Sequence, residues 1–429
     1  MSEQKSVAEE GLASGGAGIA AVATQPRRAR FAALDVSTFR WYWVASWISS
    51  TGDGMENVIR NVLVVQLAGV AAPFWLGMMV FAHWIPFTLF SLYGGVLADR
   101  YDNRKVQIVA QLLLMTAAVG VAIATLSGIV TVWWIFGLLL LHGFAGAIGN
   151  PAQQTLIHAI VGRDRLLSAI SLNSSARQLS QVVGPAVAGF VVIAFGPGTG
   201  FLVNALTFIP LLVLLGVIRV KPLAERSRAP IASSLRDGLS FVRRRPLLGA
   251  LLASEALGVV FLGHTFNSFL VLFAYDVLHV NALGYSFLLV ASGLGAVGAA
   301  VYLAYARRHT GRFVIAAAMV EMAAIAFFAF STSYAVSAAL LLVVGASAVL
   351  TQSLTNTTLQ VRAPDELRGR VMGAYSFGTQ GMRVLNGPIL GGLAILFSVP
   401  LAVAGAAVAV FVGLGAIVAR VPQLRERTG

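Results

Sequence analysis

Apolar residues run along this chain in blocks of twenty or more, separated by short polar connections. The blocks predict helices near 41–68, 75–98, 105–127, 131–152, 165–194 and 200–219. A second set follows near 247–274, 283–306, 312–330, 334–361, 367–397 and 400–420. About twenty apolar residues in a helix match a hydrocarbon layer roughly 30 Å thick. The pattern therefore predicts an all-α membrane protein of twelve transmembrane helices. The longest polar connection, RVKPLAERSRAPIASSLRDGLSFVRRRP, lies at the midpoint and divides the chain into two six-helix halves. The expected organisation is a flexible cytoplasmic tail over 1–39, an N-terminal half over 40–219, a cytoplasmic linker over 220–246, a C-terminal half over 247–420 and a short tail over 421–429. The halves repeat one another. Gln154-Thr-Leu, Arg163-Asp-Arg, Gly184-Pro185 and Gly189 occur in the same order as Thr357-Thr-Leu, Arg368-Gly-Arg, Gly387-Pro388 and Gly392. Pseudo-symmetric halves are a common way to build a site at the membrane midplane.

Composition sharpens this reading. Charged residues make up 11% of the 429 and apolar ones 58%, with a mean hydropathy of +0.82, which excludes an ordinary soluble globule. There is no cysteine, hence neither a disulfide framework nor a thiolate metal site. A net charge of +13 raises the question of nucleic acid. The basic residues, however, cluster at alternate connections, around Arg100 to Lys105, Arg163 to Arg165, Arg219 to Arg245, Arg307 to Arg312 and Arg362 to Arg370. The connections AGVAAPFW, SGIVTV, FGPGTG, STSY and SVP carry no charge. The positive-inside rule accounts for that bias, places both termini in the cytoplasm and removes the need for a nucleic-acid partner. Trp75, Trp133 and Trp134 fall where an external aromatic belt belongs, and Trp41 and Trp43 where the inner one does.

Against this background, intramembrane charge stands out. Asp53, Glu56 and Arg60 sit in the first span, with Asp53 roughly 20 Å along the helix from Arg40. Spacings of three and four put them and Asn57 on one face. Ionisable groups at that depth cost about 2.5 to 3.5 kcal/mol each on insertion scales, so they turn inward and find partners. Glu56 and Arg60 can satisfy each other at i,i+4, which leaves Asp53 as the sharper candidate for a proton site. Glu255, in the seventh span with His264 and Asn267 beyond it, is a further coupling candidate. Arg177, Gln380 and Arg383, in the fifth and eleventh spans, are candidates for the substrate cavity together with Asp53, Arg60 and Asn267. Glu321, in the ninth span, reads as helix packing at least as readily as transport. His83 and His142 can relay protons, or can be hydrogen-bonded structural residues.

Between the second and third spans stands Gly95-Val-Leu-Ala-Asp99-Arg100-Tyr-Asp102-Asn103-Arg104-Lys105. Asp99 closes a helix where the dipole disfavours an anion, so it needs cations from Arg100, Arg104, Lys105 or a neighbouring helix. Such a cluster can latch one side shut. The segment resembles the loop signature of the major facilitator superfamily, Gly-x-Leu-Ala-Asp-Arg-x-Gly-Arg-Arg/Lys, with Asp102 and Asn103 departing from the pattern. Gln178-Leu-Ser-Gln-Val-Val-Gly184-Pro185-Ala-Val-Ala-Gly189 looks like the Gly-Pro motif of that family's exporters, with Ser180 for its leading glycine. Gly184, Pro185, Gly387 and Pro388 are accordingly expected to serve helix packing. The run from Asn150 to Phe190 is similar to the branch that contains enterobactin exporters, multidrug exporters and macrolide-efflux proteins.

The resemblance implies a secondary active transporter working by alternating access, with a proton-coupled, antiporting efflux of a drug or siderophore as the leading expectation. Lipid, lysophospholipid or organic-anion transport through Arg177 and Arg383 is the alternative, and a non-transporting scaffold or sensor is the alternative of another class. Neither an enzyme activity nor a cofactor is expected, since no metal cluster, phosphate loop or nucleophile triad is present. The partners implied are a small-molecule substrate, protons and the bilayer of the cell's inner membrane, with the chain acting as a monomer. The charge bias makes one direct prediction: a C-terminal green fluorescent protein fusion fluoresces, whereas an alkaline phosphatase fusion at the same point stays inactive.

Overall fold

The computed structural model describes residues 31–218, 220, 239–305 and 311–421, and only the helical backbone at Ser91, Leu92, Gly95, Val96, Ala98, Asp99, His264, Ala304, Asp365, Glu366, Arg368 and Gly369. The expected tails and most of the expected linker lie outside these residues. Twelve spans are present among them. They are α1 (Ser37–Ala68), α2 (Ala72–Arg100), α3 (Asn103–Leu126), α4 (Val132–Val161), then α5 (166–195) and α6 (197–217). The second half contains α7 (Pro246–Val277), α8 (Ala282–Tyr305), α9 (Gly311–Ala329), α10 (Tyr334–Arg362), α11 (365–396) and α12 (Val399–Arg420). Large apolar side chains such as Phe190, Ile193, Val213, Phe327 and Val412 point outward all round the bundle, as a lipid-facing surface requires.

Local chemistry sets the boundaries. Proline opens α2, α7 and α12 within their first two positions, where the missing N–H costs nothing. Asp102 begins α3 by accepting the Arg104 backbone N–H at 2.9 Å. The helix expected to stop near residue 152 instead continues as α4 to Val161, through Pro151, and ends where Gly162 takes a positive φ of 73°. The residues after Asn150 are more polar, but the helix continues through them, with Thr155 Oγ1 donating to the Pro151 carbonyl at 3.1 Å. The α5–α6 turn is made by Gly196, at φ 78° and ψ 170°.

The packing repeats between halves. α1 lies on α5, α2 on α4 and α8 on α10, and the halves meet where α2 packs on α11 and α5 on α8. Small residues let these backbones touch. A Cβ at Gly143 would strike the His83 carbonyl, and one at Gly345 the Ser292 carbonyl, equivalent crossings in the two halves. The two Gly-Pro motifs differ in what they pack against. Gly184 presses on Thr51 and Gly54 of its own half, whereas Gly387 presses on Gly77 of the other.

The halves are joined at one end and part at the other. The largest apolar core unites Val58, Val62, Leu76 and Met79 with Phe269, Phe273, Leu288 and Leu390. At the end that carries the basic connections the cores are separate, with Phe39, Tyr42, Leu156 and Leu172 in one half and Leu248, Leu359, Val371 and Tyr375 in the other. Overpacking commonly costs 1–3 kcal/mol, and here the obstacle is backbone. Gly387→Leu is therefore expected to destabilise the protein by about 3 kcal/mol. Gly392→Leu, which meets open space, should change it by less than about 0.5 kcal/mol. Thermal unfolding in detergent, followed by tryptophan fluorescence, compares the two.

Candidate functional site

The first-span charges divide as their spacing suggests. Close contact between α1 and α5, through Gly54, Gly184 and the Thr51–Ser180 hydroxyl pair at 3.2 Å, turns the polar face of α1 into the bundle. Glu56, only 2% exposed, sits 3.7 Å from Arg60 and accepts a hydrogen bond from Asn204 Nδ2 of α6 at 2.7 Å. His142 Nδ1 of α4 stands 3.8 Å from Glu56 Oε1, beyond hydrogen-bond length. The His142 ring lies 5.1 Å from that of His83 on α2. Arg60 also donates to Asn57 Oδ1. Glu56 thus ties α1, α4 and α6 together. Asp53 has a different environment: Oδ1 is buried without a hydrogen-bond partner among the described residues, within electrostatic reach of His142 and Glu56.

Between the halves lies a cavity of about 330 Å³. The N-terminal half contributes Asn57, Gln178, Gln181 and Pro185, and the C-terminal half Glu255, Asn267, Glu321, Gln352 and Arg383. Of the candidate cavity residues, Asn267 and Arg383 are on this wall, as is the coupling candidate Glu255. Asp53, Arg60, Arg177 and Gln380 are not on it. Arg177 is exposed one position before Gln178, and Gln380 lies in a π-helical turn, Phe377–Gly381, of α11. Glu321, readable as either packing or transport, lines the cavity within electrostatic reach of Glu255.

Two features of this wall have no local signature. Arg383 donates Nε to the Thr379 carbonyl at 2.9 Å and places its guanidinium 4.7 Å over the ring of Trp84, across the boundary between the halves. One oxygen of Glu255, Oε2, is buried without a hydrogen-bond partner among the described residues, with Arg383 in electrostatic reach. The helix α7 breaks at Leu262 and Gly263 beside the cavity. Asn386 of α11 repairs the break, accepting the Thr265 N–H at 2.8 Å and donating to the Val260 carbonyl at 3.3 Å. Broken backbone within a membrane persists where such partners exist, and half-helices commonly border transport sites.

At the basic end, the side chains of Gly95 and Asp99 lie outside the described residues. Arg100 and Lys105 are exposed. Arg104 donates Nη2 to the Gly216 carbonyl at 2.8 Å, a cation at the carboxyl end of α6. Asp102, a departure from the loop pattern, supplies the cap of α3 instead.

Comparison with known proteins gives this geometry its class. Residues 28–428 match the transmembrane secretion effector family, and the chain belongs to it. It is thus a major facilitator transporter: a multi-pass secondary transporter that exports a small molecule, not an enzyme. Among curated relatives, an enterobactin exporter of Shigella flexneri is 28% identical over 362 residues, covering 81% of this chain and 85% of the relative. The one from Escherichia coli O139:H28 is 27% identical over 365 residues with the same coverage. Among solved structures, a D323A mutant of the nucleoside transporter NupG superposes with a TM-score of 0.69 at 13% identity, over 89% of this chain and 99% of that one. A D-xylose-proton symporter superposes with 0.68 at 14% identity, over 91% and 99%.

Removing one member of a buried ion pair costs about 3–5 kcal/mol, whereas an apolar pair of similar volume is often tolerated. Glu56→Met is therefore expected to lose most folded protein, judged by monodisperse yield in detergent, and Glu56→Met/Arg60→Met to recover much of it.

Proposed function

We propose that this transporter couples export to protons taken up by Asp53 and Glu255, and that it works as a monomer. The observation that carries the proposal is the contrast between carboxylates in one bundle. Among the described residues, each of Glu56, Asp53 and Glu255 keeps one buried oxygen without a hydrogen-bond partner. Only Glu56 is matched by a guanidinium at 3.7 Å and an amide donor, whereas among the described residues neither Asp53 nor Glu255 has a cation within 4 Å. A buried carboxylate lacking donors is stabilised by taking a proton. When protonated, both groups are neutral and the halves can close around a dry interior. When they release the proton, the cavity gains charge and accepts substrate. The same conformational cycle then exchanges one for the other across the membrane.

Amide-rich walls suit a substrate with many hydrogen-bonding groups, and the relatives named as enterobactin exporters make a siderophore-type molecule the favoured cargo. Arg383 would donate hydrogen bonds to its oxygens. Arg177, exposed and off the wall, is the weaker choice for that role. In inverted vesicles, Asp53→Asn is expected to abolish pH-gradient-driven transport while leaving the amount of protein unchanged. Glu255→Gln should reduce it at least tenfold. Wild-type coupled transport in Asp53→Asn would overturn the assignment of the proton site.

A further inference from the structure

Among the described residues of the apolar core shared by the halves, one side-chain hydrogen bond crosses from half to half. Asn61 of α1 donates Nδ2 to the hydroxyl of Tyr285 on α8 at 3.0 Å, and both residues are buried, at 1% and 0% exposure. Tyr285 belongs to the apolar core shared by the two halves. In that dry setting a hydrogen bond is strong and its loss is costly.

Asn61 does not end there. Its Nδ2 also lies 3.4 Å from Asn57 Oδ1, the same oxygen that receives Arg60. Arg60 in turn pairs with Glu56 at 3.7 Å. Asn57, one turn before Asn61, is on the cavity wall. A single amide thus faces the cavity, anchors the Arg60–Glu56 pair and orients the donor that clasps the opposite half. A ligand that engages Asn57 competes with Asn61 and Arg60 for its oxygen.

We infer that Tyr285 is a positioning residue for transport: through Asn61 it clasps the sealed end, and through Asn57 that clasp is released by whatever occupies the cavity. When the Asn57 oxygen turns to a ligand, one N–H of Asn61 loses its acceptor. The Asn61 amide is then free to leave Tyr285, and the sealed end opens more readily. The inference needs alternating access but does not rest on the proton as the coupling ion.

The absence of cysteine allows a test without background and without a substrate. Ala394, 6% exposed in the shared core on α11, becomes the reporter as Ala394→Cys. In purified full-length protein, a soluble maleimide reacts with it at a rate set by how often the sealed end opens. Tyr285→Phe, which keeps the ring, should raise that rate about fivefold, the worth of one buried hydrogen bond. Asn61→Leu should do the same from the other half. Asn57→Ala, which touches neither Tyr285 nor Ala394 directly, should also raise it about fivefold. The double variant Asn57→Ala/Tyr285→Phe should stay near fivefold rather than reach the product of about twenty-five, because one clasp cannot be released twice. An unchanged rate in both Tyr285→Phe and Asn61→Leu would overturn the clasp. A multiplicative double variant would overturn the link to the cavity, since independent structural loosening multiplies.

Discussion

Charge inside hydrocarbon must be matched, and the fold of the N-terminal half is organised by that requirement. Glu56 is the centre. Its carboxylate gathers a guanidinium from its own helix, an amide from α6 and an imidazole from α4, so three helices that enter the membrane separately are fixed as one body. Because a lone buried charge is so much costlier than a matched one, separating these groups would be strongly unfavourable. The C-terminal half is organised differently. Its carboxylates, Glu255 and Glu321, and its guanidinium, Arg383, are spread along the cavity wall, and its central polar contact, Asn386, serves to repair a broken helix. The N-terminal half holds its charge in a matched cluster and adds amides to the cavity wall, whereas the C-terminal half holds its charge on that wall.

Glycine seams make the motion between these bodies feasible. At Gly77 and Gly387 the backbones of α2 and α11 touch without intervening side chains, and the equivalent α5–α8 seam holds Gly189 against Ser286 and Gly293 against Val182. Contacts of this kind slide and tilt with little repacking. They lie toward the joined end, while the basic end has two separate cores. The cavity is therefore walled by both halves, with the joined end shut.

Much of this was legible in the residue order. Apolar runs marked the spans, the repeated Gly-Pro signals marked the halves, and i,i+4 spacing identified Glu56 and Arg60 as partners. What spacing cannot supply is the azimuth of one helix against another. His142, Asn204 and Trp84 acquire their roles only when α4, α6 and α2 are turned toward α1 and α11, and a lone histidine, asparagine or tryptophan in an apolar run carries no mark of that. For the same reason spacing leaves Glu321 open between packing and transport although it lines the cavity, and does not reveal that Arg177 is exposed off that wall. The break in α7 was hidden because Gly263 sits in a run that is otherwise helical, and its compensation by Asn386 comes from 123 positions downstream.

The central claim is that protonation of buried carboxylates moves the two halves relative to each other. Spin labels at Leu167→Cys and Val361→Cys, exposed positions on α5 and α10 at the basic end, report that movement as a distance distribution in lipid nanodiscs. Acidification from pH 8 to pH 5 should transfer population from a longer to a shorter distance, and Asp53→Asn should hold the short one at both. Identical distributions across that range in the wild-type protein would contradict the claim.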